Sequence, residues 1–239
     1  MNATLIFRFF LLMAMAACSG ICVAGIQVGG TRIIFPSTDR EASIQVRNEG
    51  VDDTMIQSWI EAAPNQAEND VPFAITPSLA RLSHKKQQML RIFYQGKGLP
   101  EDRESVFWLS IQEIPQLTDM DNSLQVAFRQ RLKLFYRPAK LSGTPDEAAK
   151  NLNWRLVSNA GESMLLATNP AEFYVSLGRA TVLIAGKEYS VETQMVGPMN
   201  SMRMKVKGLP QHFSGSAEVR WESINDYGAL VEHQAVVQL

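Results

Sequence analysis

Cysteine is almost missing from this 239-residue chain: its only two, Cys18 and Cys22, lie within the first 24 residues. There, Arg8 precedes an uninterrupted apolar stretch, Phe9 to Ala17, followed by small residues and Val23-Ala24. That order reads as a secretory signal peptide cleaved near Ala24. A lipoprotein start at Cys18 fits less well, because Met15 stands at the usual aliphatic position. Cleavage removes both cysteines, so the mature chain has no disulfide and no thiol ligand. An exported protein without such staples depends on full-sized packed cores, and its compartment is the periplasm or beyond.

Other absences narrow the function. Past the leader no window approaches the roughly 20 apolar residues of a membrane span, so the mature chain is expected to have none. Neither charge sign is in excess, with a net charge of -1, which offers no bulk attraction to nucleic acid or an anionic membrane. The basic run Arg129, Arg131, Lys133, Arg137 and Lys140 is set against nucleic acid by the export signal. His84, His212 and His233 are isolated, without the spacing of a zinc site. There is no nucleophile elbow and no phosphate-binding glycine loop. Asp119, Asp121 and Asn122 lack the glycine and closing glutamate of a calcium loop. The expectation is a protein that is not an enzyme and takes no cofactor or metal.

Helical periodicity is nearly absent too, save for a possible turn over Pro145 to Lys150. What remains is a rhythm of short strands and turn signals. In the first half these are Ile26 to Phe35, Ser43 to Arg47, Thr54 to Ile60, Phe73 to Ile75, Gln87 to Tyr94, Ser105 to Ile114 and a long run, Asn122 to Pro138. The second half offers Leu152 to Ser158, Glu162 to Thr168, Phe173 to Leu177, Ala180 to Ala185, Met202 to Val206, Ala217 to Ser223 and Leu230 to Gln238, with Gly186-Lys187 as a turn. The length holds two domains of about 100 residues. The spacing predicts an all-β chain of two tandem immunoglobulin-like β-sandwiches, residues 25–140 and 141–239 behind a leader of residues 1–24.

The long run carries an apolar comb, Leu124, Val126 and Phe128, and ends in RLKLFYRP. This ending resembles the last strand of the first domain in the periplasmic PapD-like chaperones of the chaperone–usher pilus pathway. Thr31 to Phe35, Gln57 to Glu61, Leu99 to Ser105, Glu113-Ile114-Pro115, Asn169-Pro170 and Ile224 to Gly228 are similar to other segments of that family, in order along nearly the whole mature chain. The resemblance implies two sandwiches in an L-shaped arrangement. It further implies a chaperone, working without ATP, that donates a strand to pilus subunits, stops their aggregation and delivers them to an outer-membrane usher.

By that resemblance Leu124, Val126 and Phe128 enter the subunit groove, and Arg32 and Lys133 bind the subunit's C-terminal carboxylate. Glu104, Arg137 and Asp226 correspond to an interdomain ionic network, and Met55, Gln57, Thr76 and Pro77 to an usher-facing patch. The short loop Gln116 to Ser123 resembles the short-loop group. Self-association that caps the comb of the free chaperone is a further possibility for an exposed apolar edge. The competing reading is an exported pilus subunit or adhesin. It is disfavoured by a first strand that starts close to the cleavage site and by two sandwiches that both look complete. In a regular strand Lys133 has the opposite parity to the comb, so alternation alone does not put the comb and the lysine on one face.

Overall fold

A computed structural model describes residues 25–63, 71–115, 124, 126–159, 162–209 and 216–237. The expected leader and the loop Gln116 to Ser123 lie outside the described residues. The first half runs through β1 (Ile26–Val28), β2 (Arg32–Pro36), β3 (Ala42–Asn48), β4 (Thr54–Ala62), β5 (Phe73–Thr76), β6 (Leu79–Leu82), β7 (Gln87–Tyr94), β8 (Ser105–Ile114) and β9 (Arg129–Arg137). They form one sheet in the order β1-β3-β7-β5 and another in the order β2-β9-β8-β4-β6. Alternation supplies the inner faces: Ile44 and Val46, Leu90 and Ile92, Phe107, Leu109 and Ile111, and Leu132 and Leu134 are all buried between the sheets. Burying side chains of this size contributes about 1.5–3 kcal/mol each.

The second half begins with α1 (Pro145–Lys150), then β10 (Asn153–Asn159), β11 (Glu162–Asn169), β12 (Leu177–Ile184), β13 (Lys187–Ser190), β14 (Asn200–Lys205), β15 (Ala217–Ile224) and β16 (Leu230–Val237). Its sheets run β10-β11-β14 and β13-β12-β15-β16. Thr144 caps α1 by accepting from the Glu147 amide, and Pro145 opens the helix, where a missing N–H costs nothing. Ala148 and Ala149 are small enough to lie on the second core, where the Trp221 indole donates to Ala149 O at 3.2 Å.

Four expectations need correction. Ile26 to Phe35 is two strands in two sheets: β1 pairs with β3, whereas β2 pairs with β9. The chain crosses between them at Gly29-Gly30, just after the Gly29 amide donates to Gln45 O at 2.8 Å. Of the run Asn122 to Pro138, β9 takes in Arg129–Arg137, and the described residues Leu124, Val126 and Phe128 precede it. Phe173 to Leu177 is reduced to a bridge between Val175 and Val196, while Leu177 opens β12. Lys187 opens β13 after a tight turn in which Ala185 and Gly186 both take positive φ, the twist that suits a two-residue hairpin. Strand β6 was not foreseen.

Candidate functional site: the interdomain cleft and its cations

Strands β2 and β9 run parallel, and their register pairs Arg32 directly with Lys133. The interior face of β9 carries Gln130, Leu132, Leu134 and Tyr136, so the odd residues face the other way, toward the second domain. Along that outer face the Arg129 guanidinium lies 5.5 Å from the Trp59 ring, and Arg131 lies 4.8 Å and Lys133 5.9 Å from the Trp108 ring. Glu61 is held between Arg131 at 3.2 Å, the Trp59 indole and the Ser110 hydroxyl. Next along β9, Phe135 is buried against Val106, Ala63 and Tyr174. The cleft is therefore a polar and cationic face of the five-stranded sheet, closed at one end by an apolar seam between domains.

The second domain reaches the two cations from above. Arg32 Nη1 donates to Ile224 O at 2.8 Å, and its buried Nε has no hydrogen-bond partner. Burial lowers the Arg32 pKa, with Asp226 acting in the opposite direction. Lys133 Nζ donates to Ser176 Oγ at 3.2 Å. Burial first, and the neighbouring Arg32 charge second, push the Lys133 pKa down to about 8. Two adjacent cations, both with their charge disfavoured by burial, make a site in which an anion relieves both desolvation and repulsion.

The interdomain acids go elsewhere. Arg137 Nε donates to Glu104 at 2.7 Å, and its two terminal nitrogens donate to Asp226 at 2.7 and 3.0 Å. Glu104, 2% exposed, also accepts from the Tyr174 amide at 2.8 Å. Burial raises the Glu104 pKa more than Arg137 lowers it. Glu104, Arg137 and Asp226 are thus brought together across the two halves.

Leu124, Val126 and Phe128 are 89%, 56% and 61% exposed. Phe128 O accepts from the Glu113 amide at 3.0 Å, the last described bond between this segment and β8. The ladder of β2 on β9 begins only at Lys133, so among the described residues no strand flanks Arg129 to Leu132 on that side.

The remaining set is spread over two elements. Met55 and Gln57 share the outer face of β4, where Met55 pairs across with exposed Ile114 and Gln57 with exposed Leu79. Thr76 ends β5, and Pro77 lies on the link by which the chain passes from that sheet to β6 in the other. Trp59, Glu61 and Trp108, together with Tyr174, Ser176 and Ile224, are parts of the cleft that the sequence reading missed. The first two were within reach, because Trp59 and Glu61 share the parity of Gln57. The others sit where no periodicity marks them.

Among the described residues no group of His, Cys, Asp or Glu could hold a metal, and no helix is long and apolar enough to cross a membrane. Residues 25–142 match the family described as pili and flagellar-assembly chaperone, PapD N-terminal domain, and residues 147–235 match the pili assembly chaperone PapD, C-terminal domain. The chain is 36% identical over 228 residues to the probable fimbrial chaperone YadV of Escherichia coli K12, covering 92% of each. It is 37% identical over 224 residues to the chaperone protein FimB/FhaD of Bordetella pertussis, covering 90% of this chain and 88% of the relative. The crystal structure of the YadV chaperone superposes with a TM-score of 0.79 at 36% identity, over 89% of this chain and all of that one. The SafB chaperone in complex with the Salmonella enterica SafA pilin is similar at a TM-score of 0.75 and 27% identity, over 91% and 98% of the two chains. With both domain types matched in order and relatives covered nearly end to end, the chain belongs to the PapD-like pilus-assembly chaperones.

Proposed function

We propose that the chain captures pilus subunits in the periplasm by lending them the free edge of β9, with the subunit's C-terminal carboxylate held by Arg32 and Lys133. The observation that carries this reading is where β2 starts. The unflanked stretch of β9 runs straight into the paired cations at its C-terminal end. A subunit strand whose terminus meets those cations must therefore run in the direction of β9, parallel to it. Main-chain bonds then supply sequence-tolerant pairing, as in strand addition generally. The comb has the numbering parity of Leu132 and Leu134, and if pairing with the subunit extends β9 backwards, Leu124, Val126 and Phe128 would continue its interior face into the subunit. Comb and anchor would then serve one partner from opposite faces of one extended strand.

The rest of the reading follows the family. The leader is cut near Ala24, the domains divide near residue 140, and Met55, Gln57, Thr76 and Pro77 meet an usher. A free chain hides its comb by self-association.

Two experiments test the capture. Phe128→Asp places a charge where the side chain is mostly in water, so the free protein should change by no more than about 0.5 kcal/mol. Co-purification of the pilin from periplasm should nevertheless be lost. A folded Phe128→Asp protein that retains the pilin as well as wild type rules out strand donation through the comb.

The second is a pH profile. Below pH 8 Lys133 is charged with or without ligand, and above it the free protein must take up a proton before binding a carboxylate. The Kd for a peptide ending in the subunit's last strand should be flat below pH 8 and then rise up to about tenfold per pH unit. Titration calorimetry from pH 6.5 to 9.5 reads this directly. Lys133→Arg, always charged, should flatten the profile.

A further inference from the structure

Glu113 occupies an unusual place at the end of β8. Its Oε1 accepts from the Ile26 amide at 2.5 Å. Both its oxygens lie where a Cβ on Gly25 would stand, at 2.3 and 2.8 Å from that point. Only a residue without a side chain lets the carboxylate rest there undisturbed. Since a residue's N and Cβ are about 2.5 Å apart, the Gly25 nitrogen lies within about 5 Å of the nearer oxygen.

The other charges around Gly25 are already engaged. Just past β3, Glu49 is ion-paired with Arg47 of that strand at 2.9 Å and with Lys85 of the turn after β6 at 2.7 Å, its amide donates to Gly25 O, and His84 stands beside it. On β9, Arg129 lies over Trp59. From β4, Ile56 pairs with Glu113 and brings no charge. Among the described ion pairs Glu113 has no cation.

From this geometry we infer that Glu113 is the receptor for the α-ammonium group of mature Gly25, so that removal of the leader creates an ion pair which locks β1 beneath the root of the donor segment. The inference rests on cleavage after Ala24. Before cleavage the Gly25 nitrogen is a neutral amide; afterwards it is a cation beside a carboxylate. Ile26 is then gripped from both sides, its N–H by Glu113 of β8 and its carbonyl by the Gln130 side chain of β9 at 3.0 Å. Glu113 is also the residue whose amide holds Phe128 O. Leader removal thereby fastens the point at which the comb leaves the sheet.

The test uses protein purified from periplasm, as wild type and as Glu113→Gln. Mass spectrometry first gives the mature N-terminus. The α-amino group is then acylated with a limiting amine reagent across pH 6 to 9, the site being read by peptide mapping. In wild type the amine should titrate above the roughly 7.7–8.0 of a free α-amino group, and at pH 7 it should react roughly threefold or more slowly than in Glu113→Gln. Because this amine's folded pKa is raised, its contribution to stability is present at neutral pH and lost as pH rises through that value. The gap in melting temperature between the two proteins should close accordingly. A mature start elsewhere than Gly25 overturns both the cleavage site and the ion pair. A start at Gly25 with the same titration in both proteins overturns the ion pair alone.

Discussion

Replacing Lys133 by methionine is expected to stabilise the free protein and to abolish its capture of subunits. The two effects have one cause. Lys133 is pressed between Arg32, Trp108 and Ser176, and its pKa has fallen to about 8 because burial and a neighbouring cation disfavour its charge. In the unfolded chain the lysine titrates near 10.4. Below pH 8 the folded protein therefore holds a charge at a cost, and between the two pKa values the unfolded state binds more protons, so wild-type stability rises with pH. Methionine keeps much of the stem over Trp108 and removes the charge. Its advantage in melting temperature should be largest at pH 7 and gone by about pH 10.5. Capture should behave oppositely. Truncating one partner of a buried, hydrogen-bonded charge pair in an interface costs about 2–5 kcal/mol, which is about 30-fold to several thousand-fold in Kd. Scanning calorimetry and co-purification of the pilin read the two sides. A Lys133→Met protein that is both more stable and fully able to bind would remove the lysine from the anchor. Arg32→Met is a different case, since Arg32 also donates to Ile224 O, and it should lose stability and capture together.

This opposition between stability and function explains which parts of the site could be read from the chain. The role of Leu124, Val126 and Phe128 as a comb came only from the resemblance, but their alternation was legible because alternation is local. The two sandwiches were legible for the same reason. The meeting of Arg32 and Lys133 was reached only through resemblance, because a parallel register between strands some 100 residues apart leaves no periodic trace. The parity conflict between comb and lysine assumed one regular strand, whereas β9 starts only after the comb. Even positions of β9 face the interior and odd ones, Lys133 among them, the cleft; Leu124, Val126 and Phe128 precede β9, so its alternation places the lysine and not the comb. The split of the first strand was foreshadowed by Gly29-Gly30, a pair that should have interrupted a ten-residue strand. Ser176 and Ile224 were out of reach, because what they touch is set by how one domain sits on the other.

The ionic network should account for the largest loss of stability. Arg137→Ala leaves Glu104 buried with only the Tyr174 amide, and leaves Asp226 without its bidentate partner. Breaking a buried pair in this way costs about 3–5 kcal/mol, mostly for the charge left behind rather than for the bond lost. Two consequences follow from that sign. Adding Glu104→Gln to Arg137→Ala should recover part of the deficit, so the double variant loses less than the sum of the single ones. Lowering the pH from 7 to 5 should also narrow the gap to wild type, since protonating Glu104 removes the unpaired charge, and burial already raises its pKa in the intact protein. Denaturant unfolding of the four proteins at both pH values checks each point. Subunit capture separates structure from orientation. Asp226 lies in the turn between β15 and β16, whose Gly228 packs so closely on Thr31 that a Cβ there would come within 2.4 Å of the Thr31 hydroxyl. That turn begins beside Ile224, whose carbonyl holds Arg32. If Arg32 is the anchor proposed above, Arg137 should position it through Asp226. The double variant should stay impaired in pilin binding even where its stability is regained, and full recovery of binding would reduce the network to a structural clamp.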